Sequence, residues 1–222
     1  MSVTLPTATL ISRNVFYNCT SLTTISIPLV EIIGSNAFFG NTKLGTISLP
    51  KVFSIGTSAF CNCTSLTQVY FAPSTYSYFG QIVIGASAFL SCSNLTTVTR
   101  ISGVGEIGNE AFAHCRKLTK LSLQTTSIGP KAFMNCTSLN QVSISVKQVL
   151  SIGTYAFSGC TLLSSLYLNV TKMPTLAASN AFSGTKITST SGTIYVPSKF
   201  LSSFKTATAW SYFSNRFSSY TF

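Results

Sequence analysis

Apolar and polar positions along this chain fall into one short cycle that keeps returning. In "LTTISIP" (22–28) Leu22, Ile25 and Ile27 face one way and Ser26 the other, which predicts a short half-buried strand rich in β-branched residues. Pro28, Pro50 and Pro73 end such runs, where a missing N–H costs least. A connector then leads to a stretch such as "SIG", which predicts a second extended segment whose Gly permits a turn or a close backbone approach. "SNAFFGN" or "TSAFCNC" follows, predicting one turn of helix or 3-10 helix with Ser or Thr placed to cap it.

The cycle is an internal repeat, I-G-x-x-A-F-x-x-C-x-x-L-x-x-[IVL]-x-[IVL]. Its copies span 11–28, 33–50, 55–73, 84–100, 107–123, 128–144 and 152–168, with a degenerate last copy at 178–189. The aromatic is Phe in all eight: Phe16, Phe38, Phe60, Phe89, Phe112, Phe133, Phe157 and Phe182. Spacing runs from 21 to 29 residues, the longest gap holding an insert, "STYSYFGQ". One coil cannot bury its own Phe, Leu and Ile, whereas stacked coils bury them in continuous ladders. The eight Phe side chains are therefore expected to line up as one interior column, each worth roughly 3 kcal/mol by burial.

The cysteines fit the same frame. Cys19, Cys63, Cys92, Cys115, Cys136 and Cys160 each stand three residues after the Phe, and Asn41 and Thr185 take that place in the other two coils. Such tolerance suits a small buried side chain rather than a required ligand. Cys61 and Cys63 form the only close pair, and their spacing is not that of a zinc site. Parallel Cβ vectors on stacked coils make poor disulfide geometry, and seven is an odd number, so mostly free, buried thiols are expected.

Repeated eight times, the I-G-x-x-A-F-x-x-C-x-x-L signature resembles that of the BspA-like leucine-rich repeat family, over nearly the whole chain up to about residue 197. The resemblance implies a right-handed leucine-rich-repeat superhelix with one long parallel sheet. The fold expected is thus an α/β solenoid, rich in β, with short helical or 3-10 turns in each coil. It also implies secreted or cell-surface proteins, often of host-associated microbes, that act in adhesion and recognition of a protein or glycan ligand. The departures are the lost Gly in the first and last coils and the insert after Pro73.

The two ends differ. Residues 1–197 are read as the solenoid, of about eight coils, and 198–222 as a C-terminal helical cap. After strand Ile194–Val196 and Pro197, Ser198 is placed to cap a helix carrying Phe200, Leu201 and Phe204. Thr208 is placed to cap a second, with Trp210, Phe213 and Phe217 about one turn apart. The alternative for this segment, a membrane-surface amphipathic helix, draws on Lys199, Lys205 and Arg216. "VTLP" (3–6) matches "ISIP" of the next coil, so the chain reads as starting mid-repeat. The expectation is a C-terminal piece of a longer protein, or a partner over the first coil, with any signal peptide upstream or removed.

Composition narrows the functions. Apolar residues make up 45% and charged residues 8%, which is not a disordered composition. No run of eighteen apolar residues exists, so no transmembrane segment is expected. Catalytic machinery is absent from the polar inventory. The single His, His114, sits in a variable position beside Cys115 and reads as a turn residue. The three acids are Glu31, Glu106 and Glu110; the last two flank the fifth I-G, near Lys131 of the next coil, as a solvated cluster. No phosphate loop, nucleophile elbow or zinc helix appears, so the chain is read as no enzyme, with no cofactor and no metal.

Binding remains, and the outward residues of the strands are its obvious seat. Thr24, Gln68, Tyr70, Thr97, Lys120, Gln141, Tyr167 and Tyr195 are the candidate ligand-binding residues. Tyrosine with Ser, Thr and Asn supplies rigid area and adaptable hydrogen bonds, although Thr also simply suits an exposed strand. The net charge of +11 raises a polyanion-binding alternative through Arg116, Lys117, Lys120, Lys131 and Lys147. These cations stand singly, without the aromatic interleaving of a single-strand binder, so nucleic acid is not the expected partner. The other alternative is a structural spacer in a surface or phage-tail assembly.

Overall fold

The computed structural model describes residues 1–71, 82–99, 104–189 and 191–221. It is a parallel solenoid of about nine turns. On one side the Ile-Gly segments form β2 (Leu10–Ile11), β4 (Ile32–Ile33), β6 (Ser54–Ile55), β8 (Ile82–Ile84), β10 (Val104–Ile107), β12 (Ser127–Ile128), β14 (Ser151–Ile152) and β16 (Thr175–Leu176). These pair in chain order as one unbroken eight-stranded sheet.

The other side carries the longer, alternating strands in three ladders. β1 (Ser2–Thr4) pairs with β3 (Thr24–Ser26). β5 (Thr46–Leu49), β7 (Gln68–Phe71) and β9 (Thr97–Thr99) form the second. β11 (Lys120–Leu123), β13 (Gln141–Val146), β15 (Ser165–Val170), β17 (Thr193–Pro197) and β18 (Phe217–Tyr220) form the third. The one long parallel sheet that the resemblance implies is thus the sheet of the Ile-Gly segments. The Ile-Gly sheet stays continuous even through a register shift between Val104 and Glu106 where β10 meets β8, and on the other side the Gly45 amide reaches Thr23 O at 3.3 Å between β3 and β5. Pro73 and the insert after it lie outside the described residues.

Between the two sides runs the column of phenylalanines. Successive rings from Phe16 to Phe182 stack with centroids 5.0–5.5 Å apart and planes within 9° of parallel. Isolated aromatic pairs favour offset or edge-on contact. Here the backbone spacing of stacked strands, near 4.8 Å, dictates the near-parallel stack. Phe16 is half-buried and the others are fully buried. Leu22, Leu44, Leu66, Leu95, Leu118, Leu139 and Leu163 line a second buried ladder beside them.

The turn carrying each Phe is not a helix except in the last coil, where Ser179–Phe182 closes as a 3-10 helix. In the earlier coils its amides divide their partners. Ala37 N donates back to Gly34 O at 3.2 Å, whereas Phe38 N donates to Ala59 O of the next coil at 2.7 Å. A helix would need all of them within the coil. The chain alternates between the two by placing left-handed residues two after the Gly (Asn36, Ser58, Ser87, Glu110, Lys131, Tyr155) and two after the Phe (Asn62, Ser91, His114, Asn135).

All seven cysteines are free, Cys19 half-buried and the rest buried. The ladder thiols also have polar work. Cys63, Cys92, Cys136 and Cys160 each donate to the Phe carbonyl of the preceding coil at 3.1 Å, and Cys115 does so at 3.3 Å. Asn41 Nδ2 makes the same bond to Phe16 O at 2.8 Å, which is why Asn can replace Cys there. Burial pushes the Cys63 thiol up to about 12.

At the C-terminal end a 3-10 turn (Ser198–Phe200) and α1 (Leu201–Thr206) are followed by a second 3-10 stretch (Ser211–Arg216). Phe213 meets the last ring of the column, Phe182, edge-on at 5.5 Å, and Trp210 lies tilted over it at 6.3 Å. Phe217, expected on a helix, instead begins β18, which pairs with β17 in the register Ile194↔Phe217 to Pro197↔Tyr220. The cap thus ends by adding a strand.

Candidate functional site

The alternating strands bury one set of side chains and turn the other outward, so coil stacking converts single residues into columns. In one column Thr46, Gln68 and Thr97 are neighbours, and further along Lys120, Gln141, Ser165 and Thr193. In the next column stand Ser48, Tyr70 and Thr99, then Ser122, Ser143, Tyr167, Tyr195 and Ser218. Seven of the eight candidate residues lie on these columns, and Thr24 stands opposite Ser2 in the separate first ladder.

They group into small sets. Thr24 pairs with the first strand, its Oγ1 donating to Ser2 Oγ at 2.9 Å. Gln68, Thr97 and Tyr70 form a second set, in which the Tyr70 hydroxyl donates to Gln68 Oε1. Lys120 and Gln141 are direct neighbours across β11 and β13. Tyr167 and Tyr195 stack with centroids 4.4 Å apart and planes 7° from parallel.

Tyr220, which the sequence does not single out, completes the last set. Its ring meets Tyr167 edge-on at 5.6 Å and Tyr195 at 6.2 Å. Partial desolvation under these neighbours pushes the Tyr167 phenol up, the Tyr195 and Tyr220 phenols adding to it, so it stays a neutral hydroxyl. The result is a three-tyrosine cluster on a rigid sheet, rimmed by Ser143, Ser165, Thr193 and Ser218. It offers flat aromatic faces with hydroxyl donors and acceptors.

Glu110 and Lys131 occupy equivalent left-handed positions of neighbouring coils and pair at 3.4 Å. His114 is a half-buried turn residue with φ 62°. Among the described residues no group of His, Cys, Asp and Glu is arranged to hold a metal ion. No helix of the described residues is long and apolar enough to cross a membrane.

A family model described as BspA type leucine-rich repeat region matches the chain in six copies, over residues 1–83 and 82–206. A solved leucine-rich repeat protein of T. pallidum is 32% identical over 73% of this chain and 77% of its own, with a TM-score of 0.65. A leucine-rich repeat protein of Bacteroides ovatus is 24% identical over 79% of this chain and 53% of its own, with a TM-score of 0.54. The pneumococcal vaccine antigen PcpA is 11% identical over 98% of this chain and 54% of its own, with a TM-score of 0.59. This chain spans about half the length of the last two, whose likeness is one of fold. No curated protein matches it in sequence.

Proposed function

The chain belongs to the BspA-type leucine-rich repeat family, and from that premise we propose that it is a non-catalytic recognition module, secreted or at the cell surface, binding a protein or glycan ligand through its outward columns. The observation that carries this reading is the Tyr167–Tyr195–Tyr220 cluster on the β11–β18 ladder. Aromatic rings of this kind lose little conformational freedom on binding, and the Ser and Thr around them adapt their hydroxyls to the ligand. The remaining candidates, Thr24, Gln68, Tyr70, Thr97, Lys120 and Gln141, extend the same face along the solenoid. Non-catalytic action fits the face's chemistry, which is hydroxyl, amide, phenol and one ammonium.

The test is binding to arrays of immobilised glycans and extracellular-matrix proteins at moderate salt. The wild-type chain should retain a ligand that the Tyr70→Ala, Lys120→Ala and Tyr167→Ala variants release. A structural spacer would tolerate all three without losing any partner. A polyanion binder would lose its ligand steeply with salt, whichever tyrosine is changed.

A further inference from the structure

The eight-stranded sheet stops at β16, and it stops unevenly. Between neighbouring coils two carbonyls of one strand accept amides of the next: Leu150 O accepts from Thr175 N at 2.8 Å, and Ile152 O from Ala177 N at 2.9 Å. The equivalent carbonyls of β16 belong to Pro174 and Leu176. The Trp210 indole N–H donates to Pro174 O at 3.0 Å, so a side chain of the cap stands in for the missing backbone donor. No donor reaches Leu176 O among the described residues. The alternation of a parallel strand turns the Leu176 N–H to the same side.

Beside this half-finished edge opens a groove of about 440 Å³ between β16 and the end of α1, lined by Met173, Leu176, Ser203, Thr206, Ala207 and Trp210. The half of the chain that builds it is strongly one-signed. Of the fourteen Lys and Arg, only Arg13, Lys43, Lys51 and Arg100 precede Glu110; the other ten follow it, with no further Asp or Glu. Lys172 and Lys205 each adjoin a lining residue, and both are exposed. The Glu110–Lys131 ion pair involves neither of them.

We propose that this groove takes an extended acidic peptide, which adds to the β16 edge by pairing with the Leu176 backbone and sets its carboxylates against Lys172 and Lys205. Main-chain pairing supplies the register, and alternate side chains meet Met173, Ala207 and Trp210. The acidic character follows from charge complementarity with a half-chain that carries no carboxylate side chain. The site lies on the other sheet from the tyrosine cluster, so either can fail without the other.

Trp210 is the sole tryptophan and serves as the reporter. Titrating the whole chain with a capped peptide of alternating glutamate and valine should shift Trp210 emission saturably. N-methylating the peptide's central amides should abolish the shift, because the donor to Leu176 O is gone. Exchanging Lys172 and Lys205 together for Ala, on the surface, should weaken binding about fivefold with an unchanged melt. Ala207→Glu should abolish it by placing a carboxylate in the groove. Equal binding of the N-methylated peptide, or of one with lysine in place of glutamate, overturns the proposal. So does unchanged Trp210 emission up to about 1 mM peptide. A dimer of this chain that the peptide fails to dissociate overturns it too, since the groove then holds a second copy.

Discussion

The ring of Tyr167 lies flat on that of Tyr195, 4.4 Å away, because β15 and β17 are paired in register at those two residues. The contact is on the outer face, so its contribution to stability is small, about 1 kcal/mol. Tyr167→Ala should lower the urea midpoint slightly and leave the far-UV spectrum unchanged. A loss as large as that of a core truncation would place these rings in the interior and remove them as a binding surface.

Position along the phenylalanine column should set the cost of truncation. Phe112 has ring neighbours on both sides at 5.0 and 5.4 Å. Phe112→Ala should cost about 3–5 kcal/mol. Phe16 has one neighbour and is half-buried, so Phe16→Ala should cost about half as much. Paired urea denaturations of the two variants check the difference; equal costs would mean that the column does not act as a stack.

The glycine of the Ile-Gly signature and a glycine at a variable position of the repeat should respond differently to alanine. A Cβ at Gly129 would sit 2.8 Å from the Gly108 carbonyl carbon and from Asn109 N, both backbone atoms of the preceding coil. Neither can retreat without opening the ladder, so Gly129→Ala should destabilise by about 1–3 kcal/mol. A Cβ at Gly45 meets nothing within 4 Å. Gly45→Ala should be neutral or slightly stabilising. Thermal melts of the two variants side by side decide the matter.

The buried thiols make the fold sensitive to alkali. In the unfolded chain a thiol ionises near its ordinary value of 9.0, while folded Cys63 holds its proton to about 12. Cys92, Cys115 and Cys136 are raised in the same direction by burial. Above 9.0 the unfolded state therefore binds fewer protons than the folded one, and stability falls as pH rises toward about 12. Urea midpoints at neutral pH and within that window should show the decline. At neutral pH iodoacetamide should label Cys19 first and the ladder thiols only on unfolding.

Much of the interior is legible in the repeat. Phe recurs at a fixed place in every coil because only one geometry lets identical rings stack, and the column follows from that. The left-handed turns are hidden, since Asn36, Ser58, Glu110, Lys131 and Tyr155 share a backbone conformation but no side-chain chemistry. The thiol donors are hidden behind the apolar habit of cysteine, although Asn41 at the same place hints at a hydrogen bond. On the outer face, alternation identifies Tyr167 and Tyr195 as outward. It misses Tyr220 because "FSSY" has no β-branched residue, and Phe217 reads as the next helical turn after Phe213. Groupings such as Gln68 with Tyr70 depend on register, which only the stacked coils define.

The alternating amides of the Phe turns carry a consequence for how the molecule comes apart. With Phe38 N tied to Ala59 O, and Phe60 N tied to Ala88 O, no inner coil can breathe without breaking bonds to both flanks. Opening should start at a terminus and travel inward like a zip, so deuterium should enter the turn amides of the first coils early and those around Phe112 last.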